Sequence, residues 1–241
     1  LSTVQLEETK GVPLKIDGYS FSSDESKLML STETERIYRH STRSKNYVYD
    51  IANKSIELLS SEKQRDATFS PAADKVAFVR KNNIYVKDLK TKTENAITND
   101  GKFNEIIYGA TDWVYEEEFA FDKAFFWSPS GKRIAFYRFD ESEVREFNMP
   151  LYGSLYPKDN PFKYPKAGEK NSKVRIDVVN IEDGTQGIFT PDQNAEYIPR
   201  IKWSRTDESL VIYTMNRHQS NLTLINYNPT TNSNTVLYEE N

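Results

Sequence analysis

The sequence contains no cysteine and only two histidines, His40 and His218, among its 241 residues. The absence of cysteine excludes disulfides, thiolate metal sites and cysteine nucleophiles. Two histidines are too few for a multi-histidine metal centre. We therefore expect the chain to bind neither a metal nor a cofactor.

Long apolar runs are also missing. No run approaches the ~20 residues that a helix needs to cross a bilayer. The first residues, Leu1–Glu8, lack both a starting methionine and the basic-then-apolar pattern of a signal peptide. These features favour an internal piece, or a processed form, of a longer protein. Because 32 basic and 36 acidic residues give a net charge of -4, no nucleic acid is expected as a partner.

The common catalytic motifs are absent as well. The sequence has no G-x-S-x-G nucleophile elbow, no G-x-x-x-x-G-K-[ST] phosphate loop, no H-E-x-x-H and no G-x-G-x-x-G. A Ser-His-Asp hydrolase would have to use His40 or His218, and neither has an elbow nearby. We therefore predict no catalytic residue in this chain and no catalytic activity for the chain alone.

Aromatic residues are plentiful at 13%, while hydrophobic residues overall reach only 37%, a composition that favours strands. One turn-and-strand pattern recurs, each copy opening with an aromatic residue followed by serine. The copies open at Phe21-Ser22, Phe69-Ser70, Trp127-Ser128 and Trp203-Ser204. After each serine come polar turn residues and then alternating apolar positions, which predict a tight turn leading into a strand.

Repeated short strands in one register are typical of β-propeller blades. We predict an all-β fold of about four blades from a larger ring, with a short helical insertion. An immunoglobulin-like sandwich also has many short strands, but it does not predict a repeated aromatic-serine register. Residues 1–241 are interpreted as a partial propeller domain, with blades near 15–60, 61–100, 120–190 and 195–240 and insertions at 102–126 and 138–172.

The segment Asp112–Phe119, with the sequence DWVYEEEF, carries three consecutive glutamates between aromatic residues. A single helical turn would set Glu117 and Glu118 about 100° apart, so both carboxylates could approach one point. Two carboxylates satisfy an ammonium group, which has three N–H donors and one positive charge. The alternative is a solvated acidic helix face. Arg39, at the end of an alternating strand, could hold a carbonyl oxygen or brace a carboxylate.

The run DWVYEEE resembles the dipeptidyl peptidase IV family, whose members carry an N-terminal eight-bladed propeller ahead of an α/β-hydrolase domain. Further matches in the family's order are Tyr38–Ser41, Asn83–Lys87, Trp127–Pro129 and Tyr164–Gly168. The resemblance implies that Glu117 and Glu118 bind the substrate's N-terminal ammonium and that Arg39 contacts both the carbonyl of the penultimate residue and this acidic pair. It implies supporting roles for Trp113, Tyr115, Glu116 and His40.

The chain is accordingly identified as the substrate-recognition propeller part of a bacterial-type serine exopeptidase that releases X-Pro or X-Ala dipeptides. The catalytic α/β-hydrolase domain is absent from the chain and is expected as a partner, together with peptides that have a free N-terminus. The resemblance also implies a periplasmic, secreted or cell-surface location and a homodimer formed through residues 145–170. That segment is predicted to expose six apolar side chains: Phe147, Met149, Leu151, Tyr152, Leu155 and Tyr156.

Two alternatives remain open at the sequence level. The repeats alone equally fit a stand-alone propeller that serves as a protein-interaction module. Within the peptidases, a tripeptide-releasing relative would use one glutamate at a greater distance from the nucleophile.

Overall fold

The computed structural model describes residues 7–9 and 12–241, with side chains from residue 14 onward. The chain forms two compact units. The first contains the described residues up to Arg80 together with Ile84–Ile97, and the second contains Lys81–Asn83 and Thr98–Asn241. Within the described residues, no helix has the length and apolar character needed to cross a bilayer.

The N-terminal part of the chain forms a two-stranded pair and two four-stranded antiparallel sheets. The pair consists of β1 (Glu7–Thr9) and β2 (Val12–Pro13). Sheet A consists of β3 (Gly18–Phe21), β4 (Lys27–Arg36), β5 (Thr42–Asp50) and β6 (Ser55–Leu58). Sheet B consists of β7 (Arg65–Phe69), β8 (Lys75–Arg80), β9 (Asn83–Asp88) and β10 (Glu94–Ala96). In both sheets the strands pair in chain order, as in a propeller blade.

The C-terminal part of the chain forms two further antiparallel sheets, one helix and one hairpin. Sheet C consists of β11 (Ile106–Tyr108), β12 (Phe125–Trp127), β13 (Arg133–Asp140), β16 (Lys173–Asn180) and β17 (Gln186–Phe189). The helix α1 (Trp113–Glu118) lies between β11 and β12, and the hairpin pairs β14 (Glu146–Asn148) with β15 (Pro161–Lys163). Sheet D consists of β18 (Ala195–Trp203), β19 (Leu210–Asn216), β20 (Leu222–Asn228) and β21 (Ser233–Glu240). These sheets confirm the all-β prediction.

The repeated serine closes the turn between two paired strands: β3 and β4, β7 and β8, or β12 and β13. The backbone N–H of Lys27 donates to Ser22 Oγ at 3.0 Å, and Lys75 and Ser70 make the same bond at 3.0 Å. Arg133 and Ser128 repeat it, again at 3.0 Å. In sheet D the hydroxyl of the repeat serine instead accepts from a residue within the turn, at 3.3 Å. The serine register seen in the sequence therefore reflects a local turn geometry that three of the sheets share.

The first unit has its main core between sheets A and B. Met29 and Val48 from sheet A pack in one cluster with Val76 and Phe78 from sheet B, and all are nearly inaccessible to water. The opposite face of sheet A buries Tyr47 and neighbouring apolar residues. Sheet A therefore buries apolar side chains on both faces, although Tyr19 and Phe21 of its first strand remain exposed.

The edge of sheet C is divided between two short strands. Both β11 and β12 pair antiparallel with β13: Tyr108 lies opposite Arg138, and Phe125 lies opposite Phe136. Because β11 falls within residues 102–126, the segment inserted into the sheet is shorter than the repeat spacing indicates. The insertion is the part of the chain between β11 and β12, and it contains α1.

Residues 138–172 contain the end of β13 and a two-stranded hairpin built on β14 and β15, which we call the arm (residues 146–163). The exposed apolar side chains of the arm are those of Met149, Leu151, Tyr152, Leu155 and Tyr156. Phe147 was also predicted to be exposed, and this prediction is wrong. Its ring is half-buried, with its centre 5.6 Å from that of Tyr164 and 6.3 Å from that of Phe162.

Candidate functional site

The helix α1 begins at an aspartate that caps it. Asp112 has an extended backbone, and its Oδ1 accepts the Tyr115 backbone N–H at 2.9 Å. The second carboxylate oxygen, Oδ2, accepts the hydroxyl of Ser172 at 2.6 Å, so the cap is tied to the chain just before β16. The last helical residue is Glu118, and the N–H of the next residue, Phe119, donates to the Tyr115 carbonyl at 3.2 Å. This is the helix on which the sequence places the acidic pair.

The three glutamates of α1 lie in different environments. The side chain of Glu116 is completely buried, Glu117 is partly exposed and Glu118 is exposed. Because successive residues of a helix differ by about 100°, one glutamate points into the protein and the next two point to its boundary and to solvent. Two neighbouring carboxylates therefore reach the protein boundary and the solvent, while the third is enclosed by the protein.

Tyr115 anchors α1 in an aromatic cluster that consists of Tyr115, Phe119, Phe121, Tyr137 and Phe139. The Tyr115 ring centre lies 4.8 Å from that of Phe139 and 4.9 Å from that of Phe119. The Tyr115 hydroxyl accepts the backbone N–H of Ile198 at 2.9 Å. Burial raises the pKa of Tyr115 well above its usual range, so the phenol stays neutral. The helix is thereby attached to β13 and β18 through one side chain.

Trp113 contacts the segment that follows the arm. Its ring centre lies 4.5 Å from that of Tyr164, in an edge-to-face arrangement that is favourable for aromatic pairs. Tyr164 begins the Tyr-Pro-Lys-Ala-Gly segment noted in the sequence. The two motifs, distant in the sequence, thus meet in the structure.

Two buried carboxyl groups interact electrostatically at the start of α1: Asp112, which caps the helix, and Glu141. Burial raises the pKa of Asp112, although the hydrogen bonds from Ser172 and the Tyr115 backbone oppose the shift. Burial also raises the pKa of Glu141 to about 7, with a further contribution from the negative charge of Asp112. Lys163 opposes this second shift through its positive charge. No motif in the sequence indicated a role for Asp112, Glu141 or Ser172.

Arg39 and His40 lie in the first unit, in the bend that connects β4 to β5. Arg39 was expected at a strand end, but the strand stops at Arg36 and the bend follows. The loop is closed by two bonds to Ser41, whose carbonyl accepts the Ile37 N–H at 2.9 Å and whose Oγ accepts the Tyr38 N–H at 3.2 Å. Both Arg39 and His40 are exposed there.

The predicted site residues are therefore divided between the two units. The second unit holds Trp113, Tyr115, Glu116, Glu117 and Glu118 together on α1, whereas the first unit holds Arg39 and His40. In the part of the chain that the structure describes, no group of three or more His, Cys, Asp or Glu side chains is arranged to hold a metal ion. Taken separately, the second unit carries the carboxylates of α1, and the first unit carries the exposed guanidinium of Arg39.

Comparison with a family model and with known sequences relates this chain to one family. Residues 22–241 match the model of the dipeptidyl peptidase IV (DPP IV) N-terminal region. The chain is 38% identical over 208 residues to dipeptidyl aminopeptidase B of Saccharomyces cerevisiae, a match that covers 84% of this chain and 24% of that protein. It is 32% identical over 238 residues to dipeptidyl-aminopeptidase B of Aspergillus niger, covering 89% and 26% respectively. The chain thus spans about a quarter of the length of these relatives.

Structural comparison agrees with this family. The crystal structure of Porphyromonas gingivalis dipeptidyl peptidase 4 superposes with a TM-score of 0.90 at 38% sequence identity. The match covers 98% of this chain and 34% of that one. It confirms the propeller fold, because the sheets follow the N-terminal domain of that protein. The chain belongs to the dipeptidyl peptidase IV N-terminal region family.

Proposed function

We propose that this chain recognises peptide substrates for a serine-type exopeptidase that releases N-terminal dipeptides of the X-Pro or X-Ala type. In this proposal Glu117 and Glu118 hold the N-terminal ammonium of the peptide. The observation that carries the proposal is the change in exposure along α1. Glu116 is buried, while the next two carboxylates reach the protein boundary and the solvent.

An ammonium anchor also explains why such a peptidase releases peptides of a fixed length. A fixed charge pair at one end of the substrate determines how many residues fit before the nucleophile. The ammonium donates up to three hydrogen bonds, and carboxylates accept them more strongly than neutral groups do. Arg39 contacts the carbonyl of the penultimate residue, with Trp113, Tyr115, Glu116 and His40 in supporting roles. The nucleophile belongs to an α/β-hydrolase domain outside this chain, so the chain alone does not cleave peptides.

The test uses the full-length protein and a Gly-Pro-linked chromogenic substrate. We expect Glu117→Gln and Glu118→Gln each to lower kcat/KM by about 30-fold or more, because removing one partner of a charge pair costs about 2–5 kcal/mol. The matched control is Glu208→Gln, at an exposed glutamate in the turn between β18 and β19. It should leave kcat/KM unchanged.

Inhibition constants distinguish the contribution of the ammonium group to binding from that of the rest of the ligand. A free dipeptide should inhibit the wild type more strongly than the double variant Glu117→Gln/Glu118→Gln. Its N-acetyl form should inhibit both equally, since it has no positive charge to pair. If both inhibitors weaken to the same extent in the double variant, α1 is an acidic structural turn and not an ammonium site.

We also propose that the arm mediates self-association of the full-length protein. The exposed apolar side chains of Met149, Leu151, Tyr152, Leu155 and Tyr156 on one hairpin support this role. Membership of the family favours a location outside the cytoplasm: the periplasm, the cell surface or the surrounding medium.

A further inference from the structure

The carbonyl end of α1 is held by an arginine from sheet D. Arg200 Nη2 donates to the Phe119 carbonyl oxygen at 2.6 Å, and Nη1 donates to the Pro199 carbonyl at 2.6 Å. The guanidinium carbon lies 5.0 Å from the centre of the Phe121 ring. The planar fork of arginine thus joins the residue after α1 to the backbone of β18.

The strand β18 is irregular at the same place. Tyr197 pairs with Met215 and Arg200 pairs with Tyr213, so Ile198 and Pro199 together face one residue of β19. This bulge frees the Ile198 N–H from the ladder, and that N–H donates to the Tyr115 hydroxyl at 2.9 Å. Pro199 has no N–H to leave unpaired. The bulge and Arg200 therefore form one support for α1.

A helix of six residues needs such a support. Helices this short are unstable in isolation, so their position depends on tertiary contacts. The last carbonyls of a helix carry partial negative charge, and a guanidinium there is favourable. Arg200 donates to the carbonyl of Phe119, the residue that directly follows Glu118. It therefore contacts the end of α1 that carries the proposed ammonium ligands.

We propose that Arg200 is a positioning residue, which fixes Glu117 and Glu118 at the correct distance from the scissile bond. The inference rests on the proposed ammonium anchor and adds the element that aligns it. A displacement of about 1 Å in a positioning group can lower a catalytic rate by on the order of 100-fold. Because two bonds of the fork hold Arg200, lysine cannot reproduce its geometry.

The first test compares variants in the full-length protein. We expect Arg200→Met to lower kcat/KM for a free dipeptidyl substrate by about tenfold, with a higher KM and a lower kcat. Arg200→Lys should recover part of the loss. The matched control Lys202→Met removes an exposed cation from the same strand and should change nothing. The rate of labelling by a serine-reactive phosphonate should stay at the wild-type value in all three variants, since the nucleophile is not displaced.

The second test combines Arg200→Met with Glu117→Gln and Glu118→Gln. If Arg200 acts through the glutamates, Arg200→Met should change kcat/KM less than twofold in the double-glutamine background. A full tenfold effect in that background would overturn the inference, because Arg200 would then act on the substrate or on the fold directly. An unchanged kcat/KM for Arg200→Met, with impaired glutamate variants, would overturn the inference and leave the ammonium anchor intact. Unimpaired glutamate variants would overturn both.

Discussion

Glu141 and Glu143 are two residues apart, but their pKa values are shifted in opposite directions. Burial raises the pKa of Glu141 to about 7, whereas hydrogen bonds from Lys170 and Lys173 lower the pKa of exposed Glu143 to about 2. The raised pKa means that the folded protein binds a proton at Glu141 more tightly than the unfolded chain does. Between the ordinary value of 4.5 and about 7, a rise in pH therefore removes stability.

We predict that Glu141→Gln stabilises the protein at pH 8 but not at pH 4. The variant removes the penalty for ionising a buried carboxyl, which is on the order of 3 kcal/mol once both states are ionised. Thermal unfolding of wild type and variant across this pH range measures the difference. Glu143→Gln is the control: its lowered pKa gives stability that is lost on acidification, so this variant should show no gain at pH 8. Parallel pH profiles for wild type and Glu141→Gln would contradict the prediction.

At the scale of elements, the cap of α1 joins two distant parts of the chain. We predict that Asp112→Ala lowers the local stability of α1 by about 1 kcal/mol, because the Tyr115 N–H loses its acceptor. Hydrogen exchange at the Tyr115 amide of the intact protein should then be about fivefold faster. Asp112→Asn keeps an oxygen at the same place and should retain most of the protection. Equal exchange rates in wild type and Asp112→Ala would rule out the cap as a source of stability.

The turns of the sheets could be predicted from the sequence, because their causes are local. Ser22 and Lys27 are five residues apart and bond directly, so the spacing itself carries the information. The divided edge of sheet C could not be predicted, since β11 is defined by pairing with β13 and not by its own three residues.

The same limit applies to the candidate site. Glu117 and Glu118 are visible in the sequence as a charged run, whereas the capping of α1 by Asp112 is seen only in the structure. Arg200 and Phe119, in contrast, are separated by 81 positions. No pattern within one window of sequence joins them, because the contact depends on the bulge in β18 and on the path of the insertion.

At the scale of the whole molecule, the arm presents the most exposed large apolar side chains among the residues whose side chains are described. Leu155 is 91% and Tyr152 is 83% exposed, although the hairpin beneath them is ordered by the pairing of β14 with β15. Substitutions at the tip should therefore leave the hairpin folded. This makes the arm suitable for a test of self-association that does not disturb α1.

We predict that the triple change Tyr152→Ser, Leu155→Ser and Tyr156→Ser converts a dimeric full-length protein to a monomer. Removing exposed apolar surface removes the gain from burying it between two copies. Sedimentation velocity measures the outcome. The control is Phe103→Ser, which removes one exposed aromatic ring from another loop and should leave the dimer intact. A dimer that persists in the triple variant would show that the arm is not the interface.

The insertion that carries α1 is closed at its base by its own backbone. Ala110 bridges to Lys123, the Ala124 N–H donates to the Gly109 carbonyl at 2.9 Å, and the Thr111 N–H donates to the Asp122 carbonyl at 3.1 Å. A loop whose two ends are paired in this way can be lengthened, shortened or exchanged without moving the strands on either side. The strands beside this insertion would therefore keep their places if its length changed, but α1 would keep its position only if its bonds to β18 through Tyr115 and Phe119 were retained.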